Sequence, residues 1–206
     1  MTSDTRAKMV AGAADLMSRR GVNATSLRDV VRHTGTPRGS LGHHFPRGKQ
    51  QLIEDALAFA GKQVSGPLAH LTEKHGAVGG LRAFIALWRQ TLERTEFQAG
   101  CPVLAVAVEQ FVNDATEKAD VAAQQRMLDL ANGVFAEWQR IMFAALRREG
   151  VAPARARRLA ALVIASTEGT VAMCRAARSA RALDDVRQEL ELLLSNAIAR
   201  QGSALS

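Results

Sequence analysis

The segment from Thr25 to Phe45, TSLRDVVRHTGTPRGSLGHHF, leaves a chain few folds to choose from, because it encodes two short helices joined by a tight turn. Ser26 followed three residues later by Asp29 is a capping-box pattern, and Leu27, Val30 and Val31 repeat at the spacing of a buried helical stripe. Thr34-Gly35 stops that helix. Thr36 is placed to cap the next one through its hydroxyl, with Pro37 at the first helical position, where a missing N–H is no loss. In the second helix Leu41 and Phe45 are four apart and face inward. Arg38, Ser40 and His43 then lie on other faces, open to a ligand as extended as a DNA groove.

Charge points the same way. Residues 1–50 carry nine Lys or Arg against three acids, a balance of +6, whereas the remaining 156 residues carry eighteen bases and seventeen acids. Nearly all of the formal +7 is therefore local to the first quarter, as phosphate neutralisation requires. A merely solvated surface would spread it.

Composition bounds the rest. At 206 residues with 47% hydrophobic content, the chain can bury a sizeable core. Two cysteines, Cys101 and Cys174, are too few for a disulfide framework. No stretch resembles a signal peptide or an uninterrupted apolar span of about twenty residues, so a reducing cytoplasm and no membrane partner are expected. Helix-favouring residues dominate and no segment alternates as a strand does, which predicts an all-α fold.

Apolar spacing predicts a first helix from about Thr5 to Arg20, stopped by Gly21, and a fourth from about Lys49 that Gly66-Pro67 perturbs or kinks. Gly76, Gly79 and Gly80 mark a joint. Further helices are expected at about Leu81–Thr95, Pro102–Val112, Val121–Glu149, Pro153–Ser179 and Leu183–Arg200. The penultimate one is apolar and small-residue-rich over much of its circumference, so it must be buried on more than one side. A second subunit is expected to cover part of it, with Val186, Leu190, Leu193, Leu194 and Ala197 contributing.

Catalysis finds little support. All five histidines precede Cys101, His43 and His44 are adjacent, and neither HExxH nor CxxC occurs, so no metal or cofactor site is expected. The chief alternative to a DNA-binding regulator is a dimeric helical ligand-binding or adaptor protein whose helix-turn-helix mediates only protein contacts.

Over residues 5–57, the basic first helix, the run S-L-R-D-V-V-R-H-T-G-T-P-R-G-S-L-G-H-H-F and the following P-R-G-K-Q-Q-L-I resemble the TetR family of transcriptional regulators. Further on, G-C-P-V-L-A-V-A-V-E and the pair Glu168-Gly169 resemble its LmrA/YxaF-like branch. The resemblance implies a helix-turn-helix domain over 1–50 and an effector-binding and dimerisation domain over 51–206. It also implies a cytoplasmic homodimer, joined through the last two helices, that binds a palindromic double-stranded DNA operator, usually represses, and answers to a small-molecule effector. Family members commonly carry a tyrosine, whose hydroxyl tends to meet a phosphate, where this chain has Gly42.

Arg38, in the first turn of the second helix of the motif, is expected either to read guanine O6 and N7 or to contact a phosphate. Thr36, Pro37, Gly39, Ser40 and Gly42 complete the surface brought against DNA, and Ser26, Arg28, His43 and Lys49 are expected at phosphates. In the large half, Trp88, Cys101, Leu104, Val108, Phe111, Val134, Trp138, Met142 and Met173 supply adaptable apolar side chains that either pack as core or line an effector pocket. Scarce charge there suggests an apolar or aromatic effector. Glu109 and Glu168 either orient a polar or cationic group on that effector or pair with arginines. Residues 52–72, in the helix that leaves the DNA-binding half, are expected to transmit the effector's signal.

Overall fold

The computed structural model describes residues 2–110 and 117–202, and every element among them is helical. In chain order these are α1 (Thr2–Arg20), α2 (Leu27–Thr34), a 3₁₀ turn (Arg38–Ser40), α3 (Leu41–His44), α4 (Gly48–Arg94), α5 (Pro102–Val108), α6 (Glu117–Arg148), α7 (Pro153–Ala177) and α8 (Arg181–Gly202). They divide into two compact units: residues 1–62 with 101–134, and residues 63–100 with 135–206. Both α4 and α6 contribute to each unit.

In the first unit α1 packs on α2 and on α5. Its core holds Met9, Ala13 and Met17 of α1, Val30 of α2, and Leu52, Ile53 and Ala56 of α4, each fully or almost fully buried. Phe45, just beyond α3, is buried too, and the Arg6 guanidinium lies 5.6 Å from its ring centroid while bonding Asp55 at 2.7 Å. That cation–π contact fastens the exit of the helix-turn-helix to α1 and α4.

The capping box forms as the spacing predicts. Ser26 Oγ accepts the Asp29 amide at 3.2 Å, the Asp29 carboxylate accepts the Ser26 amide, and Gly35 ends α2 in the left-handed region. The next helix starts differently from expectation. Pro37 occupies the cap position with extended geometry, a 3₁₀ turn follows, and α-helical geometry begins only at Leu41. The Thr36 hydroxyl does not cap it, because it is hydrogen-bonded at 2.8 Å to the hydroxyl of Thr34, which itself donates to the Val30 carbonyl. A neighbouring hydroxyl two residues away competes with the backbone, as short polar side chains commonly do.

In the second unit α7 packs against α8. Gly66-Pro67 leaves α4 helical, and the break falls at Gly76, with φ 71° and ψ −176°. Only glycine adopts that conformation readily. The Ala77 amide, orphaned by the break, donates to the Glu149 carboxylate, and the guanidinium of Arg148 donates to the Thr72 carbonyl at 3.4 Å. The end of α6 thus satisfies the groups exposed where α4 changes direction.

By length and composition α7 is apolar enough to cross a membrane, and half of its most apolar 18-residue window is buried inside the protein. Thr167, Glu168 and Thr170 are among the buried side chains, as suits a core helix packed on others. Leu190, Leu194 and Ala197, expected to face a second subunit, are buried against their own chain instead. The large apolar side chains left outside on these two helices, among the described residues, are Leu162 and Met173 of α7 and Leu192 and Leu193 of α8.

Candidate nucleic-acid interface

The cations of residues 1–50 are mostly neutralised from within. Arg6 pairs with Asp55, Lys8 with Asp4, Arg19 with Asp15, Arg20 and Arg32 with Asp29, and Arg47 with Glu54. Lys49 donates to the Asn23 carbonyl at 3.3 Å. Of the nine cations in this segment, Arg28 and Arg38 are the two that are exposed and have no acid partner among the described residues. Arg28 is the second residue of α2, and Arg38 opens the 3₁₀ turn. Uncompensated positive charge therefore stands at the starts of the two helical pieces of the motif, where backbone N–H groups also favour anions.

The other expected contact residues sort by what their polar atoms already do. Ser26 Oγ is committed to the capping box, donating to the Asp29 carboxylate at 2.6 Å, so an anion beside it would meet backbone amides. Thr36 and Ser40 are half-buried, the Ser40 hydroxyl donating to the Pro37 carbonyl at 2.6 Å. Pro37, Gly39, Gly42 and His43 are exposed. A β-carbon at Gly39 or Gly42 would meet no atom within 4 Å, so the subunit itself does not demand glycine at either place.

The Asp29 carboxyl lies below its ordinary value of 3.8, held there first by the Ser26 hydroxyl and amide and further by Arg20 and Arg32. Its folded value is below the unfolded one, so the stabilisation is complete above about pH 4 and is lost as acid carries the group through the folded value. Protection of the α2 amides relative to their intrinsic exchange rates is accordingly expected to fall on acidification below that point. In Asp29→Asn that protection should already be lower at neutral pH and change little with acid.

The apolar residues of the larger half fall in both units. Cys101, Leu104, Val108 and Val134 belong to the first, and Trp88, Trp138, Met142 and Met173 to the second, while Phe111 lies outside the described residues. Cys101, Trp88, Trp138 and Met142 are buried, Leu104 and Val134 half-buried, and Val108 and Met173 exposed. Cys101 caps α5, its sulfur accepting the Leu104 amide. The Trp88 indole stands edge-on to Phe84 at 6.5 Å, and its buried N–H meets no acceptor among the described residues.

Sequence reasoning missed the role of Glu109. Pairing with an arginine was one expectation, and among the described residues its carboxylate is engaged by backbone amides instead. Its carboxylate accepts the backbone amides of Val22 and Asn23, in the turn between α1 and α2, at 3.0 and 3.1 Å. Those donors lie 87 and 86 positions away, so no local pattern announces them.

Comparison with known proteins decides the family. Residues 9–56 match the family described as bacterial regulatory proteins, tetR family, and residues 77–189 match the LmrA/YxaF-like transcriptional regulator C-terminal domain. An uncharacterized HTH-type transcriptional regulator of Mycobacterium tuberculosis is 37% identical over 189 residues, covering 92% of this chain and 93% of its own. The chain belongs to the TetR family. Within it, this TetR regulator is also similar to the uncharacterized HTH-type regulator YxaF of Bacillus subtilis, at 30% identity over 83% of this chain and 86% of that one. A TetR regulator from Legionella pneumophila shares the fold, with a TM-score of 0.75 at 18% identity over 90% of this chain and 94% of that chain. The protein is thus a helix-turn-helix transcriptional regulator of the TetR family. Regulators of this family bind DNA operators and small-molecule effectors and act as dimers.

Proposed function

We propose that this TetR regulator is a cytoplasmic repressor that grips a palindromic operator as a homodimer and lets go when a small apolar or aromatic effector binds. The observation that carries the reading is the exposed pair Arg28 and Arg38, left unpaired in a segment where the other cations are engaged. Arg38 reads a base and Arg28 holds a phosphate, with Thr36, Pro37, Gly39, Ser40, Gly42 and His43 lining the contact and Ser26 and Lys49 bordering it. Residues 1–50 form the DNA-binding part and residues 51–206 the effector-binding and dimerisation part.

The dimer forms through α7 and α8. Leu162, Met173 and Leu192 are 43%, 61% and 58% exposed, and on α7 the exposed Ala165, Gly169 and Ala172 continue the stripe between the first two. Small residues there let two helices approach closely. Met173 accordingly belongs to the subunit contact. For the effector, the supporting feature is Trp88, whose buried N–H has no acceptor among the described residues, a rarity that a bound ligand's oxygen would resolve. Effector binding favours a subunit arrangement whose recognition segments no longer match half-sites about 34–36 Å apart.

Footprinting on the DNA flanking its own gene tests the reading. Two protected half-sites one helical turn apart are expected, with an affinity that falls steeply as salt is added. Equal affinity for every duplex, or none at low salt, would overturn it.

A further inference from the structure

We infer that Glu109 is a positioning residue for operator binding: it sets the shape of the α1–α2 turn from which α2 and its exposed Arg28 are presented. The inference rests on the DNA-binding reading above and adds to it a residue that touches no DNA.

One carboxylate oxygen of Glu109 accepts both the Val22 and the Asn23 amides. The Asn23 side chain returns a bond to the Gln110 carbonyl at 2.6 Å, and Gln124 donates to the Glu109 carbonyl at 3.2 Å, which fixes the end of α5 on a second side. Lys49, at the start of α4, donates to the Asn23 carbonyl. Two elements distant in sequence, the end of α5 and the start of α4, therefore converge on the six-residue turn 21–26, and α6 holds Glu109 from behind.

Close approach is built in at Gly21. It has φ 86°, and a β-carbon there would overlap the Glu109 carboxylate. The left-handed residue turns the following two N–H groups toward one point, a concavity that suits an anion, and here the protein supplies the anion itself. Thr25 closes the same turn by donating its hydroxyl to the Gly21 carbonyl at 2.7 Å, and Ser26 then caps α2. The direction of α2 is therefore referred to Glu109 through five consecutive residues.

The sign of the effect separates positioning from plain electrostatics. Removing an acid from a DNA-binding unit raises its positive potential and, by charge alone, strengthens binding. Positioning predicts the reverse for Glu109→Ala. Glu109→Gln loses the charge but keeps an oxygen able to accept both amides, so it should hold the turn.

The probe is the duplex that wild-type protein selects from a random pool, compared with a scrambled duplex, alongside amide exchange of Val22 and Asn23. We expect Glu109→Ala to bind the selected duplex at least tenfold more weakly, with an unchanged salt slope and fast exchange at both amides. Glu109→Gln should bind as tightly as wild type or tighter, with exchange still slow. Exchange measured on the folded protein keeps the test sound even if Glu109→Ala is less stable. Tight binding by Glu109→Ala, or equal weakening by both variants, overturns the inference while leaving the DNA reading intact. If wild-type protein selects no duplex, the DNA reading itself fails and this inference fails with it.

Discussion

Arg38→Ala is expected to remove about 1–3 kcal/mol of discrimination at a single base pair of the operator while leaving the other positions as selective as before. Arg38 is exposed, opens the 3₁₀ turn, and among the described residues has no acid partner to hold it back. Its planar fork matches the two acceptors that guanine offers in the major groove, whereas a phosphate would be met by any cation. Arg28→Ala supplies the contrast. It should weaken every duplex alike and lower the salt slope by about one. Binding of both variants to the operator, to single-base variants of it and to a scrambled duplex distinguishes the roles. Equal weakening on all duplexes by Arg38→Ala would place that guanidinium at the backbone.

Trp138→Ala carries the largest expected cost to stability, about 3–5 kcal/mol, because Trp138 is fully buried and its ring stands edge-on to Phe135 at 5.5 Å. Around it Met142, Ala145 and Leu146 are buried on the same helix, so little is free to collapse into the space. Chemical denaturation followed by Trp88, the other tryptophan and a member of the same unit, reads the change directly. A loss below about 1 kcal/mol would mean that the indole borders a preformed void, as an effector-lining side chain does, and not a packed core.

Much of this was legible before any coordinates. The capping box at Ser26 and Asp29, the stop at Gly35 and the helical character of the whole chain follow from side-chain chemistry acting within one or two turns. Resemblance of residues 5–57 to the TetR family had the same origin, because a helix-turn-helix is written in local caps and stripes. Less legible was the start of the second helix of the motif, where Thr36 answers Thr34 and leaves the helix uncapped. Propensity alone also overstated Pro67: the preceding residue is glycine, and α4 passes through both with helical geometry.

The sequence by itself determined the all-α fold, the place of the helix-turn-helix and the basic bias of the first fifty residues, since periodicity, caps and net charge are properties of neighbours along the chain. Only the tertiary structure decided which of those cations remain unpaired. Asp55 and Glu54 neutralise Arg6 and Arg47 from α4, and Asp29 serves both Arg20 and Arg32. It also decided that Glu109 binds the α1–α2 turn and that Leu192, not Leu190 or Leu194, faces outward on α8. Coulombic and hydrogen-bond partners are chosen by distance in space, and a separation of 87 residues becomes 3.0 Å only after the helices have packed.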